Sequence, residues 1–259
     1  MQQTINGEII VGAGGCPGIR GHLACTPVIN LYRKLGISAI MQIKPDLYRY
    51  APLFTGIADV EFTPNPTAIN DTGSGHAVIQ KLRTLGFEKE NPIPEIKLFQ
   101  PELAYYAAKY RWLFTNYENI VGLVTNASPA SAFKCECKKI LWQEIVKQLC
   151  HKYTFVQFGT MSTPLAGTIQ QTGLPLREQA ILFALIDRYL GVNTGLWHLA
   201  LASGAKTVIL HPDDGYNGYV AEHWHYKPEH FKDESSRSFY INWNYTIEDI
   251  IKGIDEAFN

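Results

Sequence analysis

The sequence predicts an α/β protein: two halves, each a parallel sheet with helices on both faces, and a helix at the end of the chain. Three observations carry this expectation. Short runs of apolar residues alternate with helix-patterned segments, the order that builds parallel sheets covered on both sides. The 259 residues, 46% apolar and 18% charged, suffice for two modest domains. A second strand–loop–helix series then begins at "NIVGLVTNASP", well after the first has ended.

The strands are expected at Ile9–Val11, Ala39–Ile43, Ile120–Val124, Thr154–Phe158, Tyr189–Val192 and Thr207–Leu210. Helices are expected at Pro27–Leu35, Pro101–Phe114, Lys139–Leu149 and Leu176–Arg188. The helix from Pro101 opens on a proline, where a missing N–H costs nothing, and sets Leu103, Tyr106, Ala107 and Tyr110 on one stripe. The last helix is the clearest. Thr246 is placed to cap it, Glu248 and Asp249 lie in its positive first turn, and Ile247, Ile250, Ile251, Ile254 and Phe258 share one face. Between Thr63 and Pro101 the chain is rich in Pro, Gly and Asn and loses its periodicity. The domain boundary is placed after it, giving halves of 1–117 and 118–259 that face a cleft.

Composition excludes several classes. The formal net charge is −1 and no long basic run occurs, so nucleic acid is not expected as a partner. Five cysteines at irregular spacing do not make a secreted disulfide framework. Cys135 and Cys137 form a C-x-C without a second pair, and His223 and His225 an H-x-H without completing ligands, so no metal site is expected. With no signal peptide and no apolar run of about 20 residues, a cytoplasmic location is expected.

Two loops carry candidate chemistry. The first, "GAGGCPGIRGHLACTP", follows the first strand. A dinucleotide fingerprint would need G-x-G-x-x-G and an acid ending the second strand. Gly12 and Gly14 fit, but Pro17 takes the third glycine's place and the second strand ends on Lys44. A nicotinamide oxidoreductase is therefore disfavoured. The glycines either make a tight turn only or, through Gly14, Gly15 and Gly18, floor an acceptor-side loop with His22 and Thr26 directed into the cleft. The second loop is "YLGVNTGLWHLALASGAKTVILHP". Asn193 is expected to cap a helix running to about Ser203, and Gly195 admits a ligand close to the backbone. Free N–H groups and the helix dipole make such a turn a seat for a diphosphate. His198, one turn in, either reaches that ligand or packs against Trp197. Asp213 and Asp214 follow the next strand and are candidates to hold sugar hydroxyls or to act as a base.

The N-T-G-x-x-H-L-A stretch followed by "SGAKTVILH" resembles the D-T-G-x-x-H-L-A stretch of the ADP-heptose–lipopolysaccharide heptosyltransferases, glycosyltransferases of the GT-B fold with two Rossmann-like domains. "CTPVINLYRKLG" is similar to that family's T-T-P-x-L-x-x-L segment, and "TNASPASAFKCECKKILWQEIVKQL" to its entry into the second domain. The resemblance implies inverting, metal-independent transfer of a sugar from a nucleotide-diphospho-sugar, with no resident cofactor, to a saccharide or glycolipid hydroxyl. That would place the protein in lipopolysaccharide or glycan biosynthesis in the cytoplasm, and a lipid-linked acceptor would bring it to the inner face of the cytoplasmic membrane. It also implies that Thr194 and Gly195 contact the donor diphosphate through hydroxyl and backbone N–H and that Lys134, or else Lys138 or Lys139, neutralises the leaving group; Asn193 and His198, beside them, are counted with the donor site. Two departures stand out. The family's loop acid, the base for the acceptor hydroxyl, falls on Gly21, and no carboxylate occurs from Ile9 to Pro45; the acid opening D-T-G is Asn193. His22, Asp213 and Asp214 are the replacement bases; the alternative is a sugar-nucleotide-binding protein without transferase activity.

Overall fold

The computed structural model describes residues 4–5, 7–13, 18–67, 77–87, 91–126, 142–159, 163–211, 226, 238–242 and 244–259. The chain forms two compact units, one of Met1–Leu98 with Glu222–Lys232, the other of Phe99–Ala221 with Asp233–Asn259.

In the first unit the sheet runs β1 (Thr4–Ile5), β2 (Glu8–Gly12), β3 (Ala39–Ile43), β4 (Asp59–Phe62) in that spatial order. β2, β3 and β4 are parallel, with Ile9 opposite Ala39 and Ile40 opposite Asp59. β1 pairs antiparallel on the edge, through a turn where Gly7 has φ +81°. The helices are α1 (Ile19–Leu23), α2 (Thr26–Lys34) and α3 (Ala77–Thr84), with a 3-10 stretch at Pro45–Phe54. α2 turns Val28, Ile29 and Leu31 inward and stops at Gly36, whose φ of +77° favours glycine at a helix end.

The second unit contains α4 (Gln100–Lys109), α5 (Arg111–Asn116), β5 (Ile120–Val124), α6 (Trp142–Leu149), β6 (Thr154–Gln157), β7 (Ile169–Gln170), α7 (Leu176–Ile186), β8 (Arg188–Val192), α8 (Gly195–Ala202), β9 (Lys206–His211), β10 (Ser238–Asn242) and α9 (Ile247–Phe258). Its sheet has the order β10-β9-β8-β5-β6-β7 with every pair parallel. One face is closed by α6 and α9, whose Ile145, Val146, Ile250, Ile254 and Phe258 join Val121, Leu123, Leu190, Val192, Val208 and Leu210. Each such side chain, fully buried, is worth roughly 1.5–3 kcal/mol. On the other face Phe183 of α7 fills the space over Gly122, and Trp197 of α8 donates its indole N–H to Thr207 Oγ1 at 3.2 Å.

The helix expected over Pro101–Phe114 is two helices, broken at Tyr110. Tyr110 is buried, and its hydroxyl donates to Glu178 Oε1 at 2.5 Å. Lys109 pairs with the same oxygen at 2.6 Å, and Arg177 with Glu102 at 2.7 Å. These bonds tie α4 to the first turn of α7. The residues from Phe99 to Tyr117, which the sequence analysis placed ahead of the boundary at 117/118, accordingly belong to the second compact unit. α9 is capped as expected: Thr246 Oγ1 accepts from Asp249 N at 3.2 Å.

Candidate functional site

The second sheet defines a crevice by topology. From β5 the chain steps to β6 and β7 on one side, then crosses to β8 and continues to β9 and β10 on the other. β5 and β8 are neighbours, so the strand order reverses between them, and ligands bind at the carboxyl ends of strands at such a point. Val124 opposite Gly191 is the last pair of that ladder, so Thr125–Asn126 and Asn193–Thr194 leave the sheet side by side. Gly191 is required there: a Cβ would stand 2.5 Å from the Val124 carbonyl oxygen.

The turn after β8 differs from expectation by one residue. Thr194, not Asn193, is the N-cap. Its backbone is extended (φ −132°, ψ 174°), and its Oγ1 accepts from Leu196 N at 3.2 Å. The physical reason is geometric: a cap bonds an N–H two or three residues on, and α8 begins at Gly195. Asn193 is left free of that duty. It is only 4% exposed, and among the described residues neither its Oδ1 nor its Nδ2 has a hydrogen-bond partner. A buried amide left in this state costs about 1–3 kcal/mol per group, so it marks a place where a partner belongs. Beside it, the first-turn N–H groups of α8 lack intrahelical acceptors and present the positive end of the helix dipole.

The other expected donor residues divide. Gly195 opens α8 as anticipated. His198 is buried, its ring 4.2 Å from that of Trp197, so of the two sequence expectations packing is the one the structure displays. Lys134, Lys138, Lys139, Asp213 and Asp214, with Cys135, Cys137, His223 and His225, lie outside the described residues. Sequence reasoning missed two further polar residues at this edge, His211 ending β9 and Asn242 ending β10, both buried. The available signal was that each is the polar residue closing an apolar run, Val208–Leu210 in β9 and Phe239–Ile241 in β10.

In the first unit the strand-end loop is differently occupied. A Cβ at Gly12 would collide with the Thr67 carbonyl oxygen, so this glycine makes room for the protein's own chain. Gly14 and Gly15 lie outside the described residues; Gly18 precedes α1 and offers its carbonyl to His22. Thr26 was expected to point into a cleft. It is instead fully buried, donating to Leu23 O at 2.8 Å and accepting from Glu95 N at 3.1 Å, which staples the 91–99 segment to α2. His22 is 2% exposed, with its ring 4.6 Å from that of Tyr50. Its Nδ1 donates to Gly18 O at 2.9 Å, which leaves the lone pair on Nε2. Burial lowers the imidazole below its ordinary pKa, partly offset by that backbone hydrogen bond.

Among the described residues no group of three or more His, Cys, Asp or Glu is placed to hold a metal ion, and no helix is long and apolar enough to cross a membrane. No protein-family model matches the sequence, and no curated protein matches it significantly. Solved structures do. The chain is similar to a glycosyl transferase family 9 protein from Veillonella parvula, with 11% identity, 98% of each chain covered and a TM-score of 0.71. It is similar to E. coli ADP-heptose lipopolysaccharide heptosyltransferase II, with 12% identity over 96% of this chain and 97% of that one and a TM-score of 0.64. E. coli heptosyltransferase WaaC, solved with ADP, matches with 12% identity, 95% and 98% coverage and a TM-score of 0.56. The fold is therefore that of the GT-B glycosyltransferases, two α/β sheet units in one chain. Among these, the solved structures it resembles include heptosyltransferases.

Proposed function

We propose that the protein is a glycosyltransferase that moves a sugar from a nucleotide-diphospho-sugar to a hydroxyl of a saccharide or glycolipid, with inversion and without a metal. The observation that carries this reading is the turn after β8. A helix N-terminus capped by Thr194 and a buried Asn193 amide, without a hydrogen-bond partner among the described residues, meet at the switch point of a parallel sheet. In the proposed reaction His22 Nε2 takes the acceptor hydroxyl proton; a histidine held neutral, with Nδ1–H fixed on a carbonyl, suits that role. The acceptor oxygen bonds to the anomeric carbon as the bond to the diphosphate oxygen breaks on the opposite side. The departing charge falls on the Gly195 amide, the Thr194 hydroxyl and a lysine of the 134–139 stretch. Asp213 and Asp214 are the alternative bases. A lipid-linked acceptor would bring the protein to the inner face of the cytoplasmic membrane.

A second reading, nucleotide-sugar binding without transfer, is favoured by the burial of His22 against Tyr50. A nicotinamide oxidoreductase is opposed by the Thr67 carbonyl over Gly12, where a dinucleotide phosphate would need to approach.

The test is a thermal shift against ADP, UDP, GDP, CDP, NAD and NADP. A ligand at 100 times its Kd adds about 2.7 kcal/mol to the fold that binds it, a readable shift of several degrees. Stabilisation by one nucleoside diphosphate, followed by release of that diphosphate from its sugar ester only when an acceptor is present, is the expected result. Stabilisation by NAD or NADP alone would sink the reading, and binding without turnover would select the second one.

A further inference from the structure

Two interactions orient the His22 imidazole, one local and one remote in sequence. Its Nδ1 donates to Gly18 O at 2.9 Å, four residues back along the chain. That bond holds only one orientation of the ring, since a half-turn would put a carbon where Nδ1 stands. The remote partner is Tyr50, whose ring centre lies 4.6 Å from that of the imidazole at a tilt of 56°. Both side chains are buried. Among the described residues no hydrogen bond is made to Nε2. Tyr50 is itself held at both ends. The 3-10 stretch Pro45–Phe54 follows β3, which pairs with β2, so it emerges beside the loop that leads to His22. Tyr50, Leu53 and Phe54 are its buried residues, three and four apart and so on one side. From outside, the exposed Arg49 folds back on its neighbour. Its Nη2 donates to the Tyr50 hydroxyl at 3.3 Å, and its Cζ lies 5.2 Å from the ring centre.

The proposed reaction gives Tyr50 no part. We propose that Tyr50 is the positioning residue of His22: its ring stops the imidazole from turning and so keeps the proton on Nδ1 and the lone pair on Nε2. This rests on the glycosyltransferase reading above, in which Nε2 takes the acceptor proton. The chemistry turns on the tautomer. A neutral imidazole carries a single N–H. With that proton on Nδ1, Nε2 is an acceptor and can serve as a base. With it on Nε2, the same atom is a donor and cannot. Unconstrained neutral histidine prefers the second form, so a ring free to turn would present the wrong one. The hydrogen bond to Gly18 selects the first form, and only while the ring stays in place. A flat, buried neighbour with its hydroxyl tethered to Arg49 supplies that constraint. Loss of the useful tautomer disables a histidine base even where the rest of the site is intact.

The experiment is long-range proton–nitrogen NMR of the full chain, labelled with nitrogen-15 in histidine, at about pH 8, where an ordinary histidine is neutral. The proteins are wild type, Tyr50→Phe and Tyr50→Ala, and the His22 signals are assigned by their loss in His22→Gln. Wild type and Tyr50→Phe are expected to show the proton on Nδ1, since both keep the ring. Tyr50→Ala is expected to shift the ratio toward the Nε2–H form by about fivefold, what the loss of one ordinary hydrogen bond amounts to. A residue that merely packs would lower stability and leave the ratio alone. If Tyr50→Ala does not fold, Tyr50→Leu replaces it and is read in the same way. An unchanged ratio without the ring overturns the assignment. So does a Tyr50→Phe protein shifted as far as Tyr50→Ala, or a wild-type protein with its proton on Nε2. The same proteins are titrated calorimetrically with ADP, UDP, GDP and CDP, and the Tyr50 variants are expected to bind as wild type does. Wild-type protein that binds none of them overturns the glycosyltransferase reading, whereas the tautomer ratio alone decides whether Tyr50 orients His22.

Discussion

The loop after β2 and the turn after β8 start alike and end differently. Each leaves a buried parallel strand through a glycine whose missing side chain is filled by a backbone carbonyl, that of Thr67 over Gly12 and that of Val124 over Gly191. Beyond that point the first loop spends its polar groups on the protein. Thr26 bonds two backbone groups, His22 bonds Gly18, and the Cys25 thiol lies 3.5 Å from the Gly21 carbonyl. The turn after β8 spends one hydroxyl on a cap and leaves a whole carboxamide in the interior without a bond to any described residue. Glycines at a strand end are therefore a poor guide to a ligand. Which polar groups stay unsatisfied after folding is a better one, because an unmade buried hydrogen bond is costly unless something else completes it.

The largest effects should come from what the two regions share. Gly12→Ala and Gly191→Ala each push a methyl group onto a backbone carbonyl that cannot rotate away. Overpacking of this kind costs roughly 3 kcal/mol. Urea denaturation followed by circular dichroism is expected to show the loss for both. A Gly12→Ala protein of normal stability would mean that the Thr67 segment does not sit over β2, and it would reopen the first loop as a ligand site.

The next test separates them. Thr26→Val strands the Leu23 carbonyl and the Glu95 amide, a cost of about 2 kcal/mol in stability, without altering affinity for a nucleoside diphosphate. Thr194→Val removes a cap worth about 1 kcal/mol. It also loses nucleotide affinity about tenfold, since that hydroxyl faces the diphosphate in the proposed reaction. Unfolding curves and calorimetric titrations of the two variants check the crossing pattern. A Thr26→Val protein that folds normally and fails to bind nucleotide would reverse the roles assigned to the two regions.

Much of the fold was legible because buried parallel strands are written as largely apolar runs. "AIMQI", "IVGLV" and "TVILH" are strands within a residue of where their hydrophobicity puts them. β4, with the sequence "DVEF" and mostly exposed, carries no such run, and β7 is two residues long; both take their conformation from a neighbouring strand. Tyr110 reads as one more apolar residue on a helical stripe until Glu178, remote in sequence, supplies the partner that breaks the helix. At the candidate site, N-T-G announced itself through a hydroxyl and a glycine at a strand end. Which of Asn193 and Thr194 would cap was not legible, because both residue types do so. Nor was the fate of Thr26, since the amide it accepts from belongs to Glu95, in a stretch without periodicity. His211 was hidden for a related reason: only the pairing of β8, β9 and β10 sets it beside Asn193.

His22 yields the smallest effect on stability and the sharpest on chemistry. Burial lowers its pKa in the folded state relative to the ordinary 6.5. The unfolded chain therefore takes up the proton first as acidity rises. The stability held by the neutral ring is complete above 6.5 and is lost as pH falls from there through the lower folded value. One group contributes at most about 1.4 kcal/mol per pH unit, so the measurement is a difference, His22→Gln against wild type, in denaturant midpoints between pH 7 and 5. The wild-type curve should fall more steeply, and the variant should lose that extra slope. Turnover adds the decisive contrast. If His22 Nε2 accepts the acceptor proton, His22→Gln keeps its nucleotide affinity and loses transfer, and the wild-type rate falls on the acid side only below 6.5. A variant that transfers sugar at the wild-type rate would reduce His22 to a packing residue under Tyr50, and the search for the base would move to Asp213 and Asp214.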